Sequence, residues 1–308
     1  MIRPNPPQIT QISLITPKFC ILRLMRQNIL VICGPTATGK TGLGIKLAKE
    51  FDGEIISADS RQVYKKMDVG TGKEWDKDVK IWGYDLVSPK EEFSVSQFAK
   101  FARNKITDIK KRGKLPVIVG GTGFYIKSIV DGIGTIDIPQ NKDLRNILDK
   151  KTKDELYEML GGVDPLKAGS LNFSDKNNPR RLVRAIEVAQ YEIDRPSLKL
   201  RPASNPKNEF MQIGLTTTID KLAKRIEERV KKRVEMGMRD EIEKLLKIGV
   251  SWEMQSMQAL GYRQYRDYFE GGVPEDVVID EWTREEIKYA KRQMTWFKKD
   301  KRIRWFLV

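Results

Sequence analysis

Apolar positions along this chain follow two periods, and their alternation predicts the architecture. Short unbroken runs, Ile29-Leu30-Val31-Ile32, Glu54-Ile55-Ile56-Ser57 and Leu115-Pro116-Val117-Ile118-Val119, have the length and composition of strands buried on both faces. Segments of helical spacing separate them. Leu43, Leu47 and Phe51 share one face after the first run, with Gly53 as the expected stop. Ser94 is placed to cap a helix reaching about Lys111, with Phe98, Ala102, Ile106 and Ile109 inward and Gly113 after it. A helix over 124–130 follows the third run, and 81–87 and 209–215 read as further strands. Strands alternating with helices predict an α/β fold with a parallel sheet flanked by helices.

From 132 to about 194 the strand-like runs stop. Short helical segments take over, including a Thr152-x-x-Glu155 capping box and a helix opened by Pro179 that sets Arg180 and Arg184 one turn apart. That pattern predicts a smaller all-helical insertion domain over 135–204, within a core formed by 28–134 and 205–308. Next comes one long amphipathic helix, about 220 to 247, with Leu222, Ile226, Val230, Val234, Met238, Ile242 and Leu245 as its apolar stripe. Arg225, Arg229, Lys232 and Arg233 lie beside that stripe. Arginines so placed can clamp an oxygen-rich group, or simply face solvent. A last helix is expected to reach Asp300, with Trp296 and Trp305 in the core. Residues 1–27 hold Pro4, Pro6, Pro7 and Pro17 and no acidic residue; they read as a disordered extension, or as sequence preceding a start at Met25.

The turns carry the candidate chemistry. Gly34-Pro35-Thr36-Ala37-Thr38-Gly39-Lys40-Thr41 fits G-x-x-x-x-G-K-[ST] between a strand and a helix. In such a loop the backbone N–H groups wrap a diphosphate, the lysine neutralises it and the last hydroxyl ligates Mg²⁺. The motif alone does not say which diphosphate. Asp59 and Ser60 end the second strand at the same rim, where ligands of open parallel sheets bind. Asp59 there has three readings: a Mg²⁺ neighbour through water, a proton acceptor, or the start of a turn. Gly120-Gly121-Thr122-Gly123 opens the third strand into a turn that either brings a hydroxyl to the rim or only reverses the chain. Residues 62–73 suit a substrate-contacting loop, with Lys65, Lys66 and Lys73. Residues 255–268 mix aromatics with arginines, a composition suited to stacking and backbone contact.

Charge narrows the partner. Lys and Arg number 57 against 42 Asp and Glu, a net +15, which favours an anionic partner larger than one nucleotide and makes nucleic acid the leading class. Between 284 and 304 nine basic residues face three acidic ones. There is no histidine, and Cys20 and Cys33 are the only cysteines, which excludes a zinc finger, a Ser-His-Asp triad and any imidazole base. Two cysteines give no disulfide framework and point to a reducing cytoplasm. No apolar run approaches the ~18 residues a membrane span needs.

With these pieces in order, the sequence resembles the tRNA dimethylallyltransferase, or tRNA isopentenyltransferase, family of bacterial type. The resemblance covers about 28–308 and rests on GPTATGKT, SADSRQVYKKMDVGTGK, VGGTGFYI, RRLVRAIEV, RIEERVKKRVEMGM, LGYRQY and KRQMTWFKKD in the family's order. It implies a P-loop NTPase-like fold whose loop binds dimethylallyl diphosphate, with Mg²⁺ on Thr41. It implies that Asp59 is the base for N6 of adenosine-37, that Thr122 serves the reacting centre, and that Arg225 or Arg229 contacts the diphosphate. The tRNA contacts it implies are Asp59, Ser60, Arg61 and Gln62; Arg180, Arg181, Leu182, Val183 and Arg184; Gln258, Ala259, Leu260, Gly261, Tyr262 and Arg263; and Arg145. The implied partners are the tRNA anticodon stem-loop and dimethylallyl diphosphate, for a monomer in the cytoplasm with no membrane. Departures are Glu74 where relatives carry proline, no histidine before the third strand, with Tyr84 nearby, and no C-terminal zinc finger. Competing readings are an adenylate isopentenyltransferase using a free nucleotide, a P-loop phosphotransferase and a non-enzymatic RNA-binding NTPase module. The helical insertion and the basic C-terminal third count against a free nucleotide, which needs neither.

Overall fold

The apolar runs become strands buried on both faces, the charged residue that interrupts them, Glu54, being paired with Arg112. In the computed structural model, which describes residues 29–195 and 209–308, β1 (Ile29–Cys33) leads through α1 (Lys40–Glu50) to β2 (Gly53–Ser57) and the two-residue β3 (Ile81–Trp82). Helix α2 (Val95–Lys111), β4 (Leu115–Val119) and α3 (Gly123–Val130) follow. Then come α4 (Lys142–Leu148), α5 (Lys153–Val163), α6 (Pro165–Ser170), α7 (Phe173–Lys176) and α8 (Pro179–Asp194). The order closes with β5 (Phe210–Thr216), α9 (Ile219–Glu235), α10 (Met238–Lys247), α11 (Tyr265–Phe269), α12 (Glu275–Phe297) and β6 (Arg304–Leu307).

The described strands form one parallel sheet, ordered β3-β2-β4-β1-β5-β6. Successive residues of β1 point to opposite faces, and both faces are covered. Ile29, Val31 and Cys33 join one core with Phe98, Ile126 and Trp282, while Leu30 and Ile32 join the other with Ala48, Ile55 and Val117. Parallel pairing sends all carboxyl ends one way. The turns after β2, β4 and β1, which are neighbours in the sheet, therefore open side by side.

Two compact units divide the chain, Met1–Asp131 with Asn205–Val308, and Gly132–Ser204. The first holds the sheet. In the second, α5 and α8 pack Leu156, Leu160, Leu182 and Ile186 together, and Thr152 and Glu155 form a reciprocal capping box at the start of α5.

Several expectations are corrected. The single helix expected over 220–247 is two, α9 and α10, because Gly237 takes a left-handed φ of +95° that no helix interior accommodates. Arg233, assigned to the basic stripe, is buried. The strand expected over 81–87 stops after Trp82, where Gly83 at φ +99° and Asp85 at φ +55° turn the chain. Gly53 does not stop α1 but starts β2, and the residues α1 buries are Gly44 and Ala48, with Leu43, Leu47 and Phe51 only partly covered. Trp296 is 40% exposed rather than core, while Trp305 packs partly buried in β6, a strand the basic run had concealed. The expectations for 1–27 and for Cys20 lie outside the described residues.

Glu54 is the one charged residue in β2, and its side chain is 6% exposed. It accepts hydrogen bonds from Arg112, one of them at 2.8 Å from Nη2, and from Trp82 Nε1 at 2.7 Å. The Arg112 guanidinium holds the carboxyl down at about 2, against the opposing effect of burial. That is below the unfolded value of about 4.3, so the pair's stabilisation is complete above about pH 4.3 and is lost as pH falls through the folded value. Discounted for the half-open Arg112, Glu54→Gln is expected to cost about 2 kcal/mol at neutral pH. Denaturant melts of both proteins between pH 7 and 2 check this, and a gap that persists at pH 2 would contradict it.

Candidate active site

The loop after β1 is fixed by its neighbours before any ligand is considered. Gly34 lies at φ +134°, and a Cβ there would stand 2.3 Å from the Leu215 carbonyl oxygen of β5. Thr38 Oγ1 donates to the Pro35 carbonyl at 2.9 Å, and Lys40 Nζ donates to the same oxygen at 2.6 Å. Burial pulls the Lys40 ammonium down to about 8; neighbouring Arg229 adds to the effect and Asp59 opposes it. Thr41 stands beside Lys40 at the start of α1 and faces the same cavity.

At the ends of β2 and β4 the backbone brings a carboxylate and a hydroxyl together. Asp59 Oδ1 accepts the Arg61 N–H at 2.8 Å, which fixes the turn. Thr122 Oγ1 accepts the Ser60 N–H at 3.1 Å, linking the turn after β4 to the one after β2. Tyr289 of α12 hydrogen-bonds Thr122, and burial, with Asp59 nearby, pushes its phenol up to about 12. Helices α9 and α12 supply further lining residues. Gln293 Oε1 accepts the Thr36 N–H at 2.9 Å and its Nε2 donates to the Gly121 carbonyl at 2.9 Å. Arg229 donates to Thr36 Oγ1 and to Glu286. Its Nε is buried without a hydrogen-bond partner. Burial opposes ionisation of Glu286, yet Arg229 and Arg233 prevail and hold its carboxyl below the usual range. Apart from Thr122, which sits behind Ser60, these groups line a cavity of about 570 Å³.

A phosphate loop, a carboxylate, a hydroxyl and an arginine thus share one cavity, on a chain that matches the IPP transferase family model over residues 62–300 and the isopentenyl transferase model over 27–82. The chain belongs to the tRNA dimethylallyltransferase (IPP transferase) family. It is 40% identical over 291 residues to the tRNA dimethylallyltransferase of Carboxydothermus hydrogenoformans, covering 92% of each chain. It is 40% identical over 287 residues to that of Acetivibrio thermocellus, covering 90% of this chain and 91% of the relative. Among solved structures it resembles a tRNA isopentenylpyrophosphate transferase from Bacillus halodurans, with TM-score 0.67, 37% identity and coverage of 91% and 90%. It also resembles a eukaryotic dimethylallyltransferase captured acting on tRNA, with TM-score 0.74, 26% identity and coverage of 88% and 70%.

Of the residues the family resemblance singles out, Thr36, Lys40, Thr41, Asp59, Ser60, Arg61 and Arg229 line the cavity, and Thr122 is tied to its floor through Ser60. Arg225 lines an adjoining depression together with Gly39, Lys40, Thr41 and Arg229, and of the two arginines Arg229 is the one hydrogen-bonded to Thr36. Gln258, Ala259, Leu260 and Arg263 reach the cavity. Tyr262 is fully buried with its hydroxyl on Glu241, and Gly261 is buried with it, so the tRNA contact expected of the Tyr262 side chain is corrected. Gln62 is buried too; it accepts from Ser57 Oγ at 2.7 Å and donates to the carbonyls of Thr71 and Gly72. In the helical unit, Leu182 and Val183 belong to the core and their side chains offer nothing to RNA. Arg145 and Arg184 both grip buried Glu187, and Arg184 also donates to the carbonyls of Thr135 and Ile138 at 2.9 Å. Arg180 and Arg181 are exposed, Arg181 being paired with Asp175.

Sequence reasoning missed Glu286, Tyr289 and Gln293. Their spacing of three and four residues continues the face that Val278 and Trp282 begin, so polar residues recurring on an apolar helical face were the available signal. It also missed Glu241, whose carboxylate accepts the N–H groups of Asp68, Val69 and Gly70 and so folds the loop beside the cavity. Among the described residues no cluster of three or more His, Cys, Asp or Glu forms a metal cage.

Gln293→Leu keeps the volume but strips partners from the Thr36 N–H and the Gly121 carbonyl. The expected loss is about 1–3 kcal/mol in a denaturant melt, the usual cost of buried unpaired groups. A variant as stable as the parent would show that these groups find other partners.

Proposed function

We propose that this chain transfers the dimethylallyl group of dimethylallyl diphosphate to N6 of adenosine-37 in tRNA, beside the anticodon, and releases diphosphate. The observation that supports this is that phosphate-loop residues, Asp59 and Arg229 line one cavity, with Thr122 tied to it through Ser60, in a chain whose relatives are named tRNA dimethylallyltransferases.

The loop amides and Lys40 bind the diphosphate, and Arg229, with an unpaired buried N–H, adds a charged donor as negative charge builds on the leaving group. The Thr41 hydroxyl is a hard oxygen facing the cavity, suited to hold Mg²⁺ against the diphosphate; when bound, the ion offsets leaving-group charge. As the N6–carbon bond forms and the carbon–oxygen bond breaks, Asp59 accepts the amine proton. Thr122, fixed by Ser60 and Tyr289, presents a hydroxyl beside the reacting nitrogen. An adenine held in a base stack cannot enter such a cavity, so the nucleotide is extruded from the anticodon loop. Arg61, Gln258 and Arg263 around the cavity, and exposed Arg180 and Arg181 on the helical unit, are the candidate RNA contacts, supported by the net +15. The enzyme acts as a monomer in the cytoplasm, and no helix among the described residues is long and apolar enough to cross a membrane.

Incubation of the protein with tRNA and dimethylallyl diphosphate, followed by mass spectrometry of the nucleosides, is expected to yield N6-dimethylallyladenosine; phosphate transfer from ATP without that product would defeat the reading. Asp59→Ala is expected to lower turnover by about 10²–10⁴-fold while the anticodon stem-loop still binds. Full turnover in that variant would remove Asp59 as the base. Lys40 is charged below about 8 and neutral above it, so diphosphate affinity is expected to fall as pH rises through that value, with proton uptake on binding. Calorimetry in buffers of different ionisation enthalpy measures the proton, and Lys40→Met should abolish it.

A further inference from the structure

Eight cations and four carboxylates line the cavity, and among them Arg229 and Arg233 of α9 meet Glu286 of α12 beside the phosphate loop. Glu286 is 5% exposed, and both its oxygens are engaged. One accepts the Trp282 indole N–H at 2.8 Å. The other takes the Arg229 guanidinium and the Thr36 hydroxyl at 3.5 Å, with Arg233 Nη1 at 3.8 Å. A guanidinium and a loop hydroxyl are the donors that a phosphate oxygen at this loop would seek. Glu286 therefore shares them with any bound diphosphate, and being part of α12 it cannot leave.

We propose that Glu286 is a positioning residue that sets the cavity's affinity for diphosphate: it docks Arg229 on Thr36 and offsets the charge of Arg233, so that the donor is held and the product diphosphate is let go. The inference rests on the reading of residues 34–41 as a diphosphate site. Burial makes the charge count matter. Among the described residues the ion pair of Arg233 is with Glu286, so without that carboxylate two adjacent guanidinium groups would face the bound anion with less opposing charge. Groups this close in a partly dry cavity interact strongly enough to change anion affinity by about tenfold.

The experiment is titration calorimetry of inorganic diphosphate with Mg²⁺, free of tRNA and of chemistry. Glu286→Gln preserves shape and an acceptor for Trp282 but removes the charge; its diphosphate affinity is expected to rise about tenfold, while Glu286→Asp stays near the parent. Arg233→Gln is expected to shift affinity about tenfold the other way, and it carries the test if Glu286→Gln does not fold. In steady state Glu286→Gln should lower both KM for dimethylallyl diphosphate and kcat, because release slows and Arg229 loses its fixed orientation. A purely structural role predicts a lower melting temperature with unshifted affinity, and that result overturns the inference. So does loss of affinity in both Gln variants. Failure of the parent protein to bind diphosphate at all overturns the diphosphate reading itself, whereas binding by the parent with an unshifted Glu286→Gln overturns only the role of Glu286.

Discussion

One side-chain amide holds the site's two main turns at a fixed separation. Parallel pairing of β1 with β4 brings the phosphate loop and the Gly-Gly-Thr turn to the same rim, but it leaves their loose ends free to drift. Gln293 closes that gap by accepting from one turn and donating to the other. The bridge is buried, so each of its bonds is protected from competition by water, and each backbone group it satisfies would otherwise be stranded. Everything that reaches the cavity from α12, including Glu286 and Tyr289, inherits its position from the same seat. Thr122 then links the second turn to Ser60, and through it to Asp59.

Much of the fold was legible in the sequence because fully buried parallel strands leave an unambiguous mark. β1, β2 and β4 lie close to where the apolar runs place them, and α2 runs from its Ser94 cap to Lys111, ahead of Gly113. Legibility failed where local pattern and tertiary demand diverged. The apolar stripe continues through Gly237 without a break in period, so only the backbone conformation of that glycine separates α9 from α10. β6 pairs at the sheet edge with half-exposed residues inside a basic stretch, and such an edge needs no continuous apolar run.

The candidate site was legible in its turns and opaque in its walls. A glycine loop announces its function by spacing, since backbone donors do the binding. The arginines do not, because spacing cannot say which cation turns inward. Arg225, Arg229 and Arg233 lie on one helix at intervals of four, yet only Arg229 meets Thr36, and Arg233 is drawn inside by Glu286. In the helical unit the same ambiguity ran the other way. Arg145 and Arg184 looked like surface cations, and they are spent on neutralising Glu187, whose burial would be costly without them.

The cavity's titration behaviour leaves the proton of the proposed reaction few destinations. The chain has no histidine, and the phenols of Tyr84, Tyr125 and Tyr289 are all pushed up by burial, so near neutral pH they stay protonated and cannot accept. Lys40 is needed as a cation, and an acceptor of protons beside a departing diphosphate would work against the charge stabilisation that the loop provides. Glu286 is engaged by two guanidinium groups and an indole, which hold it ionised as a counter-ion and lower its basicity. Asp59 spends one oxygen on the Arg61 N–H and lies near Tyr289. In the proposed reaction Asp59 is the group that takes the amine proton. The two acids then divide the work, Glu286 serving the arginines as counter-ion and Asp59 taking the proton, so that one cavity holds a leaving anion and accepts a proton at once.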